Sequence, residues 1–241
     1  MSAARPHRFW LLTLAAVLGV AAGVALGLWQ LSRAAQREAR QAVVAARADL
    51  PPVDGRALPG LLNVPEQLWR PVRLAGQWLP QHTVYLDNRQ MQGRAGFDVL
   101  TPLRIEGMDQ VVMVQRGWVP RDFIVRERLP AVETPAAVVQ IQGRIVPPPP
   151  KLYQFSDSSA GAIRQNLDLA DFRARSGLPL LTALSVQQTG SPSEGLLRNW
   201  TEAGSGADKN YGYAFQWFAL SALIAILYAW FQFIAPRRRR T

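Results

Sequence analysis

The chain has 241 residues, 27 basic against 17 acidic, and a formal net charge of +10. It has no cysteine and two histidines, His7 and His82. Disulfides, thiolate metal sites, iron–sulfur clusters, paired-histidine zinc motifs and thiol nucleophiles are therefore excluded.

The apolar residues concentrate at the two ends. Residues 9–31 (FWLLTLAAVLGVAAGVALGLWQL) carry no charge. A helix of this length rises about 34 Å at about 1.5 Å per residue, enough to cross a hydrocarbon core of about 30 Å. Its apolar run exceeds the h-region of about 7–15 residues in a signal peptide, and no small-x-small cleavage site follows, so a retained span is expected over a cleaved leader. Residues 213–235 (YAFQWFALSALIAILYAWFQFIA) form the second predicted span. Trp10 and Trp29 bracket the first span, and Tyr213/Trp217 and Trp230/Phe231 bracket the second. Amphipathic rings favour the headgroup level, which fits two crossings.

The expected layout is an N-tail over 1–8, a span over 9–31, a domain over 32–212, a span over 213–235 and a basic tail over 236–241. The arginine run 237–240 is the strongest topology signal and keeps both termini cytoplasmic. Arg33, Arg37, Arg40 and Arg47 argue locally the other way, but long domains translocate largely regardless of charge. Six of the basic residues lie in the two terminal segments, so the loop is close to neutral. It offers no basic stripe for nucleic acid. The tail is expected to meet anionic membrane lipid. Gly19, Gly23 and Gly27, with Ala15 in line, and Ser221, Ala225 and Ala229 make small-residue ridges. These suit close packing of the two helices on each other or on a larger membrane partner. Gln30 and Gln216, each about one turn inside the outer interface, suit an interhelical hydrogen bond.

Residues 32–48, rich in Ala, Arg and Gln, continue the first helix until Asp49-Leu50-Pro51-Pro52 ends it. Segments 72–78, 83–88, 96–105, 111–119 and 138–146 read as strands, rich in Val, Ile and aromatic residues. Residues 87–96 (DNRQMQGRAG) and the Gly107 to Gln110 stretch read as hairpin connections. Pro147–Pro150 breaks the sheet. Beyond it are expected a strand over 164–169, one small helix over 170–176, strands over 180–188 and 196–200, and a polar linker over 201–208. The fold class is an α+β membrane protein: a two-helix transmembrane hairpin carrying a mainly antiparallel β domain, barrel or sandwich, with one small helix.

The loop offers little for catalysis. His82 is its single histidine, and Asp87, Asp98, Asp122, Asp157, Asp168 and Asp171 are scattered among turns and helix starts, where Asp has structural uses. No enzyme activity is expected. Nor is a soft-metal carrier: His7 and His82 fall on opposite sides of the predicted membrane. What stands out is the aromatic and polar segment 209–218 at the mouth of the second span. Tyr213, Gln216 and Trp217 are spaced to share one helix face.

Several strings, in this order, resemble the Surf1 family of membrane assembly factors. They are Trp29-Gln30-Leu31-x-Arg33-Ala34, Trp69-Arg70-Pro71-Val72-Arg73-Leu74-x-Gly76, Leu86-Asp87-Asn88-Arg89, Gly93-x-x-Gly96-Phe97-x-Val99-x-Thr101-Pro102-Leu103, Arg116-Gly117-Trp118-Val119-Pro120 and Tyr213-Ala214-x-Gln216-Trp217-Phe218. The resemblance covers nearly the whole chain. It implies a non-enzymatic assembly factor for haem–copper cytochrome c oxidase. Such a factor would assist haem a insertion into subunit I or stabilise that subunit, with cytochrome c oxidase subunit I and haem a synthase as partners. The alternative is a scaffold that binds no haem. By the same resemblance the cofactor site would comprise Asn210, Tyr211, Tyr213, Gln216 and Trp217.

The resemblance departs at one place. Members of the family it resembles usually carry a histidine, the proposed haem ligand, where this chain has Asn210. A neutral amide is a poor axial ligand; His, Met, Cys and Tyr are the usual ones. Tyr211, Tyr213 and His82 are the remaining candidates. The short segment before the first span leaves no room for a mitochondrial transit peptide, so a bacterial inner membrane with a periplasmic domain is expected.

Overall fold

The computed structural model describes residues 5–122, 129–152, 161–200 and 206–238. Asp157, the stretch 201–205 of the expected linker and the end of the arginine tail lie outside the described residues. The chain divides into two compact units, residues 1–42 with 202–241 and residues 43–201.

The first unit is built from α1 (Arg5–Ala48) and α4 (Ala207–Ala229). Both are long and apolar enough to cross a membrane. Along α1, Thr13, Ala16, Val20, Gly23, Gly27, Gln30, Ala34 and Arg37 are buried or half-buried, and along α4 so are Asn210, Ala214, Trp217, Ser221, Ile224 and Tyr228. Spacings of three and four alternate in both series, a repeat of about 3.5 residues that keeps two supercoiled helices in register. A side chain at Gly23 would collide with Ser221, and one at Gly27 with the ring of Phe218. These two glycines set how closely the backbones approach.

The small-residue ridges differ from expectation. Ala15, Ala225 and Ala229 are exposed, while Gly19, Gly23 and Gly27 of the expected ridge, with Ala214 and Ser221, lie on the contact. A strict i+4 series advances about 40° around the helix per step, so its far members rotate off the face that a 3.5 repeat holds. Past Ala229 the helix widens into a π turn, Trp230–Ile234, in which the Ala235 N–H bonds the Trp230 carbonyl. Pro236 follows directly. It has no N–H to offer and its ring crowds the preceding turn, which the wider turn accommodates.

Among the described residues, the second unit forms one eight-stranded sheet. Its strands are β1 (Val53–Asp54), β2 (Pro71–Trp78), β3 (Val84–Met91), β4 (Arg94–Ile105), β5 (Val111–Pro120), β6 (Val139–Val146), β7 (Ile163–Arg164) and β8 (Ser185–Gln188). β2 pairs antiparallel with β6 and, through Gly76–Trp78, with β4. β6 pairs with β8, β8 runs parallel to β5, and β5 is antiparallel to β4. The pairings of these five strands therefore return to their start. Leu74, Trp78, Leu103, Ile105, Val112, Val114, Ile141, Ile145 and Val186 pack together as one buried cluster. A second cluster, with Leu86, Leu100, Met113 and Leu180, gathers Phe172 of α3 (Leu169–Ser176).

Five predicted strands appear, with adjusted ends. The 87–96 connection is instead a continuous hairpin. β3 runs to Met91, β4 starts at Arg94, and the turn is Gln92-Gly93, both at positive φ (51° and 75°). Two positive φ values match the twist of a two-residue hairpin. Asp87 and Asn88 form a bulge inside β3. The strand expected over 164–169 stops at Arg164. There Asn166 takes over the backbone pairing: its side chain accepts from Leu152 N (2.6 Å) and donates to Leu152 O (2.7 Å). Asp168 then caps α3, its Oδ1 accepting from Ala170 N and Asp171 N. Of 180–188 only 185–188 is a strand, and 196–200 is reduced to isolated bridges, Leu196 to Ser193 and Leu197 to Trp118. The single expected helix is joined by α2 (Val64–Gln67) and by 3₁₀ turns at Gly55–Gly60 and Pro80–His82.

Candidate functional site

The five predicted site residues all lie in about the first three turns of α4, but they do not converge. Asn210 is half-buried, and its Nδ2 donates to Gln30 Oε1 of α1 at 2.6 Å. Tyr211 O–H donates to Glu38 Oε1 at 2.9 Å. Trp217 packs in the helix seam, and its carbonyl accepts from Ser221 Oγ at 2.9 Å. Tyr213 (54% exposed) and Gln216 point outward. The amide partner of Gln30 is thus Asn210, not Gln216 as expected from depth alone. Positions 30 and 210 share the 3.5-residue phase of the seam; position 216 does not.

Polar contacts join the two helices near both ends. At one end are Asn210 with Gln30, Tyr211 with Glu38, and Arg37 Nη1 donating to Gly206 O at 3.2 Å. At the other, the hydroxyls of Thr13 and Tyr228 share a hydrogen bond of 2.7 Å. Between them a groove of about 610 Å³ opens on one flank, lined by Ala16, Val20, Val24, Leu28, Ala225 and Tyr228. Its walls are almost wholly apolar.

The donor set does not fit iron ligation at position 210. The amide is a weak ligand by chemistry, and it is engaged by Gln30. Tyr211 is likewise engaged by Glu38. Tyr213 retains an exposed phenol, and His82, in the other unit, sits edge-on to the Phe172 ring at 6.3 Å. Among the described residues no group of three His, Cys, Asp or Glu side chains could hold a metal ion.

The motif residues of the second unit are packing devices around two buried arginines. Arg116 is 0% exposed. Its Nη1 donates to Thr134 Oγ1 (2.8 Å), its Nη2 to Glu133 O (2.6 Å), and Nη2 also pairs with Glu194 (3.0 Å). Arg89 Nη2 donates to Pro150 O and Gln165 O, while the Trp118 indole donates to Arg89 O at 3.0 Å. A side chain at Gly96 would strike the Trp118 ring. Asp98, beside Arg89, has its pKa raised to about 6; burial disfavours the carboxylate, and the Arg89 charge offsets this only in part. Burial in turn lowers the Arg89 pKa. Trp69 holds φ +74°, fixed by its N–H to Ile145 O (2.6 Å) and by the Arg144 guanidinium 5.5 Å from its ring. Sequence reasoning named these strings but missed Arg116 as the buried tie between segments. Its one visible signal is a charged residue inside a strand otherwise without charge.

The model of the SURF1 family matches residues 17–222. The chain belongs to the SURF1 family. A SURF1-like protein of Drosophila melanogaster is 27% identical over 88% of this chain and 74% of its own length. A Rickettsia felis SURF1-like protein is 32% identical over 39% of this chain, and an uncharacterized SURF1-like protein of Mycobacterium bovis is 30% identical over 50%. The matches span 40% and 44% of those two proteins, under half their lengths. The SURF1 match runs from inside α1 to inside α4, so it takes in both long helices and the sheet.

Proposed function

We propose that this SURF1-family chain is an assembly factor for haem–copper cytochrome c oxidase. In this reading it acts as a non-catalytic membrane scaffold that holds subunit I ready to receive haem a from haem a synthase. It sits in a bacterial inner membrane with both termini cytoplasmic and the sheet periplasmic, and the closed circuit of strand pairings supports a small barrel there. One observation carries the scaffold form over the carrier form. Asn210, at the position of the family's histidine, is engaged by Gln30 and so works within the helix pair.

The test is affinity purification of the full chain from detergent-solubilised membranes. The scaffold reading expects oxidase subunit I in the eluate and no Soret band on the purified chain. Haem a bound in stoichiometric amount, and lost on changing Tyr211 and Tyr213 to Phe, would replace it with the carrier reading. Recovery of neither subunit I nor haem would end both. Haem affinity gained on Asn210→His would mark the exchange as what separates this chain from a haem-binding relative.

A further inference from the structure

Among the described residues, five buried side-chain atoms of the second unit have no hydrogen-bond partner, and three of them are Trp78 Nε1, Arg116 Nε and Gln188 Oε1. These three residues are 3%, 0% and 6% exposed. The Arg116 guanidinium carbon lies 4.5 Å from the Trp78 ring centroid. β5 and β8 run parallel with Gln115 opposite Gln187, and Arg116 and Gln188 each follow directly on that pair. Val186, two residues before Gln188, lies in the same core cluster as Trp78. Side chains two apart on a strand share a face, so Gln188 is directed to the same interior as Trp78. The other donors of Arg116 are taken by Thr134, Glu133 and Glu194. The Gln188 backbone carbonyl is taken by the Trp200 indole, so it is the side-chain oxygen that lacks a partner.

Two donors and one acceptor, each buried, are thus directed into the interior of the strand circuit. Buried polar groups are almost always hydrogen-bonded, to protein or to water. We infer that this end of the sheet binds one internal water molecule, which accepts from Trp78 Nε1–H and Arg116 Nε–H and donates to Gln188 Oε1. The ligand's chemistry follows from the three groups. An anion would accept from both N–H groups but would face the Gln188 oxygen. A cation would suit that oxygen but meet the Arg116 charge. Water is neutral, accepts twice and donates, and internal waters typically make about three hydrogen bonds. This site is independent of any role in oxidase assembly. It lets the arginine of the Arg116-Gly117-Trp118 string be fully satisfied inside an apolar cluster.

The experiment is water-selective NMR on the full chain in lipid nanodiscs, reading the tryptophan indole N–H signals. The Trp78 signal is assigned by its loss in Trp78→Phe. A cross-peak from the Trp78 indole to water, with the sign of a long-lived bound molecule, is expected. Gln188→Met removes the acceptor at similar volume; it should abolish the cross-peak and speed indole hydrogen exchange at least tenfold. Absence of the cross-peak in the native chain overturns the site whether or not the variant folds. A cross-peak unchanged in a folded Gln188→Met variant overturns the three-point geometry.

Discussion

The guanidinium of Arg116 lies over the Trp78 ring, 4.5 Å from its centroid, and reaches Glu194 at 3.0 Å. Glu194 in turn pairs with Arg198 at 3.3 Å, and Arg198 Nε donates back to the Arg116 carbonyl at 2.9 Å. One arginine thus ties strand β5 to residues 133–134, 194 and 198. Removing one partner of a buried ion pair leaves the other uncompensated and costs about 3–5 kcal/mol. Arg116→Ala is expected to destabilise the chain by that order. Arg116→Lys should lose most of it too, since an ammonium lacks the planar fork that meets three acceptors. Thermal unfolding in detergent, followed by tryptophan fluorescence, checks this; a variant within about 1 kcal/mol of the native chain would refute it.

Asp98 gives a pH dependence with a definite sign. Its pKa is raised from 3.8 to about 6, chiefly by burial. The folded state therefore binds its proton more tightly than the unfolded chain does. Stability contributed through Asp98 should rise as pH falls from about 7 through 6 and level off below the unfolded value near 3.8. Asp98→Asn should stabilise the protein at pH 7 by on the order of 2 kcal/mol and flatten the profile between those limits. Unfolding midpoints across this pH range, native against variant, give the answer. A stability that falls with acid at this site would contradict the assignment.

Asp168 behaves oppositely. The Lys151 hydrogen bond, followed by the backbone N–H groups of Asp171 and Ala170, lowers its pKa. Its contribution is present above its ordinary range and lost as pH falls through the lowered value. Asp168→Ala removes the N-cap of α3 and should cost about 1 kcal/mol. Asp168→Ser should recover most of that, because a hydroxyl also accepts from the first turn. Double-jump comparison of the three proteins at pH 7 measures it.

The two long apolar helices and the long β segments were legible in the sequence because their signals are local. A charge-free run of span length and strands dense in Val and Ile need no knowledge of a partner. The failures have a common cause in distant partners. Asn166 replaces a ladder with a side-chain pair to Leu152, 14 residues away. Arg198 bonds the Arg116 carbonyl across 82 residues. Asn210 finds Gln30 across 180. Depth in the membrane suggested Gln216 for Gln30, but depth is one coordinate; the phase of the 3.5-residue seam, the other, was hidden by the eye-catching i+4 glycines.

That seam yields the last prediction. Asn210 and Gln30 are half-buried on facing helices, joined at 2.6 Å. Interhelical hydrogen bonds in membranes are worth about 0.6 kcal/mol on average and up to about 1.7. Asn210→Leu should therefore weaken the helix pair by about 1 kcal/mol, whereas Asn210→His keeps an N–H for Gln30 and should lose less. Gly23→Leu should do more harm than either, because its side chain would run into Ser221 and the backbones would have to part. Ala229→Leu, on an exposed position of the same helix, serves as the neutral control. Trypsin accessibility and thermal unfolding of the four variants in nanodiscs should rank them Gly23→Leu, Asn210→Leu, Asn210→His, Ala229→Leu from most to least disruptive. If Ala229→Leu proved as damaging as Gly23→Leu, the seam drawn through positions 23 and 221 would be wrong.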